Sequence, residues 1–431
     1  MNQLRKALKD STGQPYLIGI FSLGLTSGMV FTIISFTLSF QLAQAKYSTS
    51  IIGGMFLTTL PYCFKPLFAP FIDRYTIPIL CKKFGQRRGW MLASQISLLV
   101  SISGFLIIDP IYNLCLTVVI AFLTCCCAAM HDIILDAYRI ERATKEELPI
   151  VTSLSGIGFR MGMLISSTGA LYLAHYYSWH FVYTCALLIM LIGPITSLCI
   201  AEPAAIHKLR HNTTNLSFKE YLKTIQDSVE MLKQSHPRWL LIILFIFLYK
   251  ICDSIPMAMS SPIFIELGFT PIEIAKISKA YGILIMMCGC FIGGILTKKV
   301  GTYRSILISG TVQLLSPIMF MFLSMAGHNI PMFITAITTQ NFCSGLGGTT
   351  LIIYLSSLCN SEYVATQFAI IYSFSSFSRV ILSSISGFFV AYFEWPQFFL
   401  GSALLSMLCI LVFIKLNTTS QRKEPVETLG Q

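Results

Sequence analysis

Twelve blocks of apolar residues, each about twenty residues long or longer, divide this chain. They leave few architectures open to it. Blocks of that length match a hydrocarbon layer about 30 Å thick. Inside such a layer only helices and closed barrels satisfy every backbone polar group. The blocks are continuous rather than alternating, so they predict helices and not barrel strands. They lie at about 17–40, 48–73, 89–108, 112–137, 150–175, 179–201, 237–264, 272–297, 304–326, 330–357, 363–391 and 396–416.

Composition excludes the soluble alternatives. Only 11% of the 431 residues are charged and 55% are hydrophobic, whereas a soluble surface needs roughly 25% charged residues. Most of the 14 cysteines fall inside apolar blocks, the run Cys125, Cys126, Cys127 among them. They read as small buried apolar residues. No CxxC pair or Cys/His cluster has the spacing of a zinc site.

The net charge of +11 has a membrane explanation. With a cytoplasmic N-terminus, 23 Lys and Arg fall in cytoplasmic segments and 3 (Lys46, Lys276, Lys279) in outer loops. Lys65, Arg160, Lys250 and Arg379 fall within blocks. That asymmetry is what the positive-inside rule requires, so no nucleic-acid partner is needed to account for the charge. An even helix count returns the C-terminus to the cytoplasm. The first block ends near Ala43-Gln44-Ala45, which looks like a cleavage site. Its 24 residues exceed the apolar region of a signal peptide, about 15 or fewer, so it is expected to be retained.

The longest polar stretch, 202–236, separates two halves of six helices, 1–201 and 237–416, and a cytoplasmic tail occupies 417–431. Within it, Phe218 to Leu232 has apolar residues at near-helical spacing. It reads either as an interfacial amphipathic helix or as a solvated linker. The halves echo each other. Arg160 precedes Gly169 and Tyr176-Tyr177-Ser178-Trp179; Arg379 precedes Gly387 and Tyr392-Phe393-Glu394-Trp395. A basic junction follows each half's second helix: Asp73-Arg74 with Gly85-Gln86-Arg87-Arg88, and Lys298-Lys299 with Gly301 and Arg304. Six-helix repeats of this kind are a transporter architecture with the substrate site near mid-membrane between the halves.

Ionisable residues within such helices are functional candidates by default. Arg160 and Arg379 sit at corresponding places, and each guanidinium can grip a carboxylate or phosphate through two hydrogen bonds. The competing role is structural pairing. Asp132 and Asp136 share a helix face, and a membrane carboxylate that takes and loses a proton is what proton coupling needs. Asp136 can instead pair with Arg139. His131 either titrates near neutral pH or is simply hydrogen-bonded. Lys250 and Asp253 are spaced as an internal ion pair. Lys65, between Pro61 and Pro66, either enters the cavity or satisfies carbonyls freed by the prolines. Asp73, Arg74, Arg87 and Arg88 read as a gate latch.

These residues resemble a known family. The halved twelve-helix plan with its basic 2–3 junction is similar to the major facilitator superfamily, an all-α polytopic fold. Closer in, the chain resembles the AmpG-type muropeptide permeases. The segments that carry this are Pro61-Tyr62, Lys65, Ala69-Pro70, Asp73-Arg74-Tyr75 and Arg87-Arg88-Gly89-Trp90; His131-Asp132-Ile133 and Asp136-Ala137; Gly158 and Arg160-Met161-Gly162-Met163; Tyr249-Lys250 and Asp253; Gly345 and Gly347; Leu358-Cys359-Asn360; Ala365-Thr366-Gln367-Phe368-Ala369; and Arg379. The resemblance implies a monomeric importer in a bacterial inner membrane. It would move anhydro-muramyl glycopeptides into the cytoplasm with protons and need no cofactor beyond the gradient. The acidic peptide would suit Arg160, Arg379 and Lys65, and the polar side chains of Gln340 and Asn341 would suit the sugars. Asp132, Asp136, His131 and Asp253 would be the coupling candidates. The chain departs from the family pattern at His131, where the family has Gln, and at Gln340, where it has Glu. The second change removes a membrane carboxylate.

Three other readings compete. The chain can carry another amphiphilic anion. It can be a transport-inactive sensor using the 202–236 loop, though that loop has no docking motif. A membrane transferase or lipase would need a nucleophile–base or metal set, and the sequence displays none.

Overall fold

The computed structural model describes residues 15–47, 51, 55–108, 110, 112–203, 218–270, 273–359, 363–390 and 392–418. Asn360, the central part of the polar loop and the tail after 418 lie outside them. Nine helices among the described residues are long and apolar enough to cross a membrane: α1 (Tyr16–Leu42), α4 (Gln86–Ile107), α5 (Leu114–Arg142), α6 (Leu148–Tyr176), α7 (Trp179–Cys199), α9 (Trp239–Glu266), α10 (Lys276–Val300), α11 (Thr302–Ala326) and α14 (Trp395–Leu416). Three more complete the twelve-helix plan. The second predicted span is broken into a 3₁₀ turn, Phe56–Tyr62, and a helix, α2 (Lys65–Arg74). The helices α12 (Ile330–Ser357) and α13 (Val364–Val390) are long enough to span. In α12, Gln340, Asn341 and a series of Thr and Ser residues dilute the apolar window. A short helix, α3 (Pro78–Phe84), follows α2, and α8 (Phe218–Ser235) lies in the inter-half loop.

The chain forms two compact units. The first comprises Met1–Val229 with Cys359–Ile370, and the second Glu230–Leu358 with Ile371–Gln431. The opening of α13 therefore clusters with the N-terminal unit.

In the first unit the tightest packing joins α1 to α6. Glycines at four-residue spacing on both helices let the backbones meet. A Cβ on Gly28 would lie 1.9 Å from the Phe159 carbonyl oxygen, and one on Gly162 2.0 Å from that of Leu25. Small residues are the means by which membrane helices approach closely. Both helices then loosen into π-turns, Ile33–Thr37 and Ile165–Gly169. The two turns are cross-linked where Thr37 donates to the Ser166 carbonyl at 2.6 Å. In the second unit the equivalent close approach joins α10 to α12 through Gly289 and Gly345.

Helix α8 exists as the loop's amphipathic pattern predicts. It buries Thr224 and Ser228. Tyr221 donates to the Leu67 carbonyl at 3.0 Å and packs its ring at a tilt against Phe71.

The predicted repeat at the basic junction has a backbone basis. Gly85 and Gly301 each precede the helix after the junction with positive φ, 92° and 83°. That conformation costs a glycine nothing and strains other residues.

Candidate functional site

The membrane-embedded charges of the first unit gather where α1, α2 and α5 meet. Lys65 is the first residue of α2, just past the break at Cys63 and Phe64. Its ammonium lies 2.8 Å from Asp132 Oδ2, with both side chains largely shielded (11% and 14% exposed). Ser27 of α1 donates to the other oxygen, Asp132 Oδ1. The Tyr62 ring, from the 3₁₀ turn above the break, faces the ammonium at 5.6 Å. The prolines explain the arrangement. Pro61 and Pro66 remove backbone donors on either side of Cys63 and Phe64, so the helix parts there. The sequence left Lys65 between the cavity and the freed carbonyls and made Asp132 a coupling candidate; the structure pairs the two.

His131 follows a different course although it adjoins Asp132. Consecutive helix residues point about 100° apart, and His131 turns inward and is fully buried. Gln95 of α4 lies 3.1 Å from it and the Leu23 carbonyl of α1 3.4 Å. Gln95 also reaches Thr26 at 3.3 Å. The group is a three-helix polar knot. Asp136 pairs with Arg139 at 3.0 Å, and Arg139 also lies over the Phe368 ring.

Arg160, on α6, has different company. Its guanidinium donates to the Met163 sulfur at 3.4 Å and lies over the Phe159 ring at 5.5 Å. Among the described residues no carboxylate pairs with it. In the second unit Arg379, on α13, is exposed and likewise has no carboxylate partner among the described residues. Lys250 and Asp253 stand 3.5 Å apart where α9 loosens at Lys250. Gln340 is buried. Asn341 donates to the Ile337 carbonyl at 3.0 Å and packs against Gly282.

The junction residues form a denser network. Arg87 is 1% exposed; it donates to Asp73 at 2.8 Å and, through Nε, to both oxygens of Glu141 at 3.0 and 2.9 Å. Asp73 spends its other oxygen on the start of α13, accepting from Thr366 N and Thr366 Oγ1, each at 2.8 Å. A carboxylate there meets the orphan N–H groups and the positive end of the helix dipole. Arg74 adds a bond to the Tyr363 hydroxyl at 3.1 Å. Glu202, just past α7, caps α4 by accepting from Arg87 N at 2.8 Å and Arg88 N at 3.0 Å. Arg88 returns the contact by donating to the carbonyls of Ser197 and Leu198 at the end of α7.

The four predicted latch residues thus come together. Glu141, Glu202, Thr366 and Ser27 were missed. Each lies dozens of residues from its partner in sequence, so no local spacing announces it.

Comparison with known proteins places this geometry. The Major Facilitator Superfamily model matches residues 16–381. A protein of Rickettsia typhi named "Putative transporter AmpG 3" is 53% identical over 401 residues, which cover 92% of this chain and 95% of that one. The anhydromuropeptide permease of Escherichia coli K12 is 32% identical over 398 residues, covering 90% of this chain and 77% of that protein. Among solved structures, the proton:xylose symporter XylE, bound to 6-bromo-6-deoxy-D-glucose, superposes with a TM-score of 0.70 at 12% identity, covering 93% and 95% of the two chains. The human organic anion transporter MFSD10 does so with 0.67 at 12%, covering 93% and 99%. At that identity the two structures speak for the fold. The chain is a multi-pass membrane transporter that belongs to the Major Facilitator Superfamily and, within it, to the AmpG-type permeases.

Proposed function

We propose that this permease imports anhydro-muropeptides across a bacterial inner membrane, from periplasm to cytoplasm, in symport with protons and with both termini cytoplasmic. The name of the E. coli relative supports the cargo, and the basic asymmetry of the loops supports the orientation. One structural observation carries the reading. Lys65, Arg87, Arg139 and Lys250 each have a carboxylate within an ion-pair distance. Arg160 and Arg379 have none among the described residues. A guanidinium inside a membrane protein is costly unless something neutralises it. An anionic solute supplies that partner, and a glycopeptide carries peptide carboxylates.

Asp132 is the proton carrier in this reading, because it is membrane-embedded and already held by a cation. Asp73 and its partners act as the latch that holds the start of α13. Uptake of labelled anhydro-muropeptide into proteoliposomes, with and without an imposed pH gradient, tests the reading. Gradient-dependent accumulation is expected, and absence of any accumulation by folded protein refutes it. Each bidentate contact is worth about 1.5–3 kcal/mol, so Arg160→Gln and Arg379→Gln should each raise KM by roughly tenfold or more. Unchanged KM in both variants removes the arginines from the site.

A further inference from the structure

Each unit holds one helix pair by backbone contact, and the first unit adds a polar bond between a second pair. In the second unit, α10 and α12 are held by backbone contact at Gly289 and Gly345, which no charge can release. In the first unit, α1 and α6 are fused in the same way. The polar link that the structure gives between α2 and α5 in this region is the Lys65–Asp132 ion pair. That pair sits at the break of the second span, with the 3₁₀ turn Phe56–Tyr62 on one side and α2 on the other. The bolt that holds a hinged helix is therefore a titratable one.

We propose that Lys65 exchanges Asp132 for an anionic group of the solute, and that this exchange releases the hinge at Cys63 and Phe64. The proposal rests on the anionic-solute reading above and deepens it. While Lys65 and Asp132 are paired, their charges cancel. If a solute carboxylate takes the ammonium, Asp132 is left as a largely shielded anion that accepts from Ser27. An uncompensated buried charge is strongly unfavourable. A proton from water on the solute's side, taken up at a carboxylate oxygen of Asp132, removes it. Capture of one anionic group at Lys65 thus draws in one proton, and neither event is favourable alone.

The groups around Asp132 fit this exchange. Lys65 and Tyr62 face it from the second span, and His131 and Asp136 neighbour it on its own helix. His131 is tied into the knot with Gln95, and Asp136 is tied to Arg139. Helix α1 offers Ser27, which can donate to the carboxylate or accept from the carboxylic acid. Arg160 on α6 is turned to Met163 and Phe159.

The test uses the full-length protein in proteoliposomes and two probes, labelled anhydro-muropeptide and its carboxyl-amidated form. Wild type should favour the anionic probe by at least tenfold in KM, with the preference growing as the pH falls. Lys65→Gln should lose at least threefold of that preference, keeping the share that Arg160 and Arg379 supply, and should lose its growth at low pH; Lys65→Arg should restore part of both. Asp132→Asn should lose at least tenfold in gradient-driven accumulation, and its KM should no longer depend on pH. Alkylation of Cys63, read by peptide mass mapping, reports the hinge. It should rise at least threefold with the anionic probe in wild type and be high without probe in Lys65→Gln. A Lys65→Gln protein whose preference and pH dependence equal those of wild type, or Cys63 labelling unmoved by probe in an active wild type, overturns the exchange alone. A wild type that transports neither probe overturns the functional reading with it.

Discussion

Removing the Arg87 guanidinium should cost the N-terminal unit about 4 kcal/mol. The side chain is 1% exposed, and its two acceptors, Asp73 and Glu141, are each 3% exposed. In Arg87→Gln those carboxylates lose the guanidinium that they share. If both stay ionised, the cost is that of breaking a buried pair, about 3–5 kcal/mol. If one takes a proton instead, keeping a carboxyl with an ordinary pKa near 4 protonated at pH 7 costs about 3 units at 1.36 kcal/mol each, roughly 4 kcal/mol. The two routes agree, so the estimate does not depend on which the protein takes. For a unit of this size 1 kcal/mol moves the melting point by about 2–4 °C, which predicts a fall of about 10 °C. Thermal unfolding in nanodiscs, followed by intrinsic fluorescence, measures it. The deficit should shrink at pH 5, where protonation is cheaper, and Arg87→Gln/Glu141→Gln should recover about half of it. Arg88→Gln is the control, since Arg88 donates to carbonyls at a half-exposed helix end. A shift under about 3 °C for Arg87→Gln, with no pH dependence, would refute the reasoning.

Other consequences follow from individual positions. Gly28→Ala puts a Cβ 1.9 Å from the Phe159 carbonyl oxygen and should cost about 1–3 kcal/mol by forcing α1 and α6 apart. Gly169→Ala meets nothing within 4 Å and should be neutral or slightly stabilising, and the same melting assay separates the two. In the loop before α10, Glu273 accepts from Thr270 N at 2.8 Å and Thr270 Oγ1 at 2.9 Å. These bonds, with His328 nearby, hold its carboxyl below the ordinary value of 4.5. A depressed folded pKa means the turn's extra stability is present above the unfolded value and lost as pH falls through the folded one. Hydrogen exchange at Thr270 should therefore be protected at pH 6, lose that protection below about pH 4.5, and be indifferent to pH across this range in Glu273→Gln. Loss of the Glu202 cap in Glu202→Gln should cost about 1 kcal/mol, read as faster exchange of the Arg87 and Arg88 amides.

The apolar blocks alone determined that the chain crosses a membrane as helices, because a lipid layer demands length and internal hydrogen bonding from any segment. The repeat of Gly85 and Gly301 was also legible, since positive φ at a helix start selects glycine wherever it occurs. The prolines at 61 and 66 announced a disturbed second span. The sequence could not show that the disturbance is a change from a 3₁₀ turn to an α-helix with Lys65 as the first residue of the latter.

Roles that depend on a partner were decided elsewhere. The i,i+3 spacing offered Asp136 its pairing with Arg139, but nothing near Asp132 in sequence announced Lys65. For His131 the sequence left titration and plain hydrogen bonding open, and the structure shows it buried and bonded to Gln95. Lys65 and Asp132 are 67 residues apart, Asp73 and Thr366 293. A charge's function is set by what it faces at about 3 Å, and that distance is fixed by helix packing rather than by position along the chain.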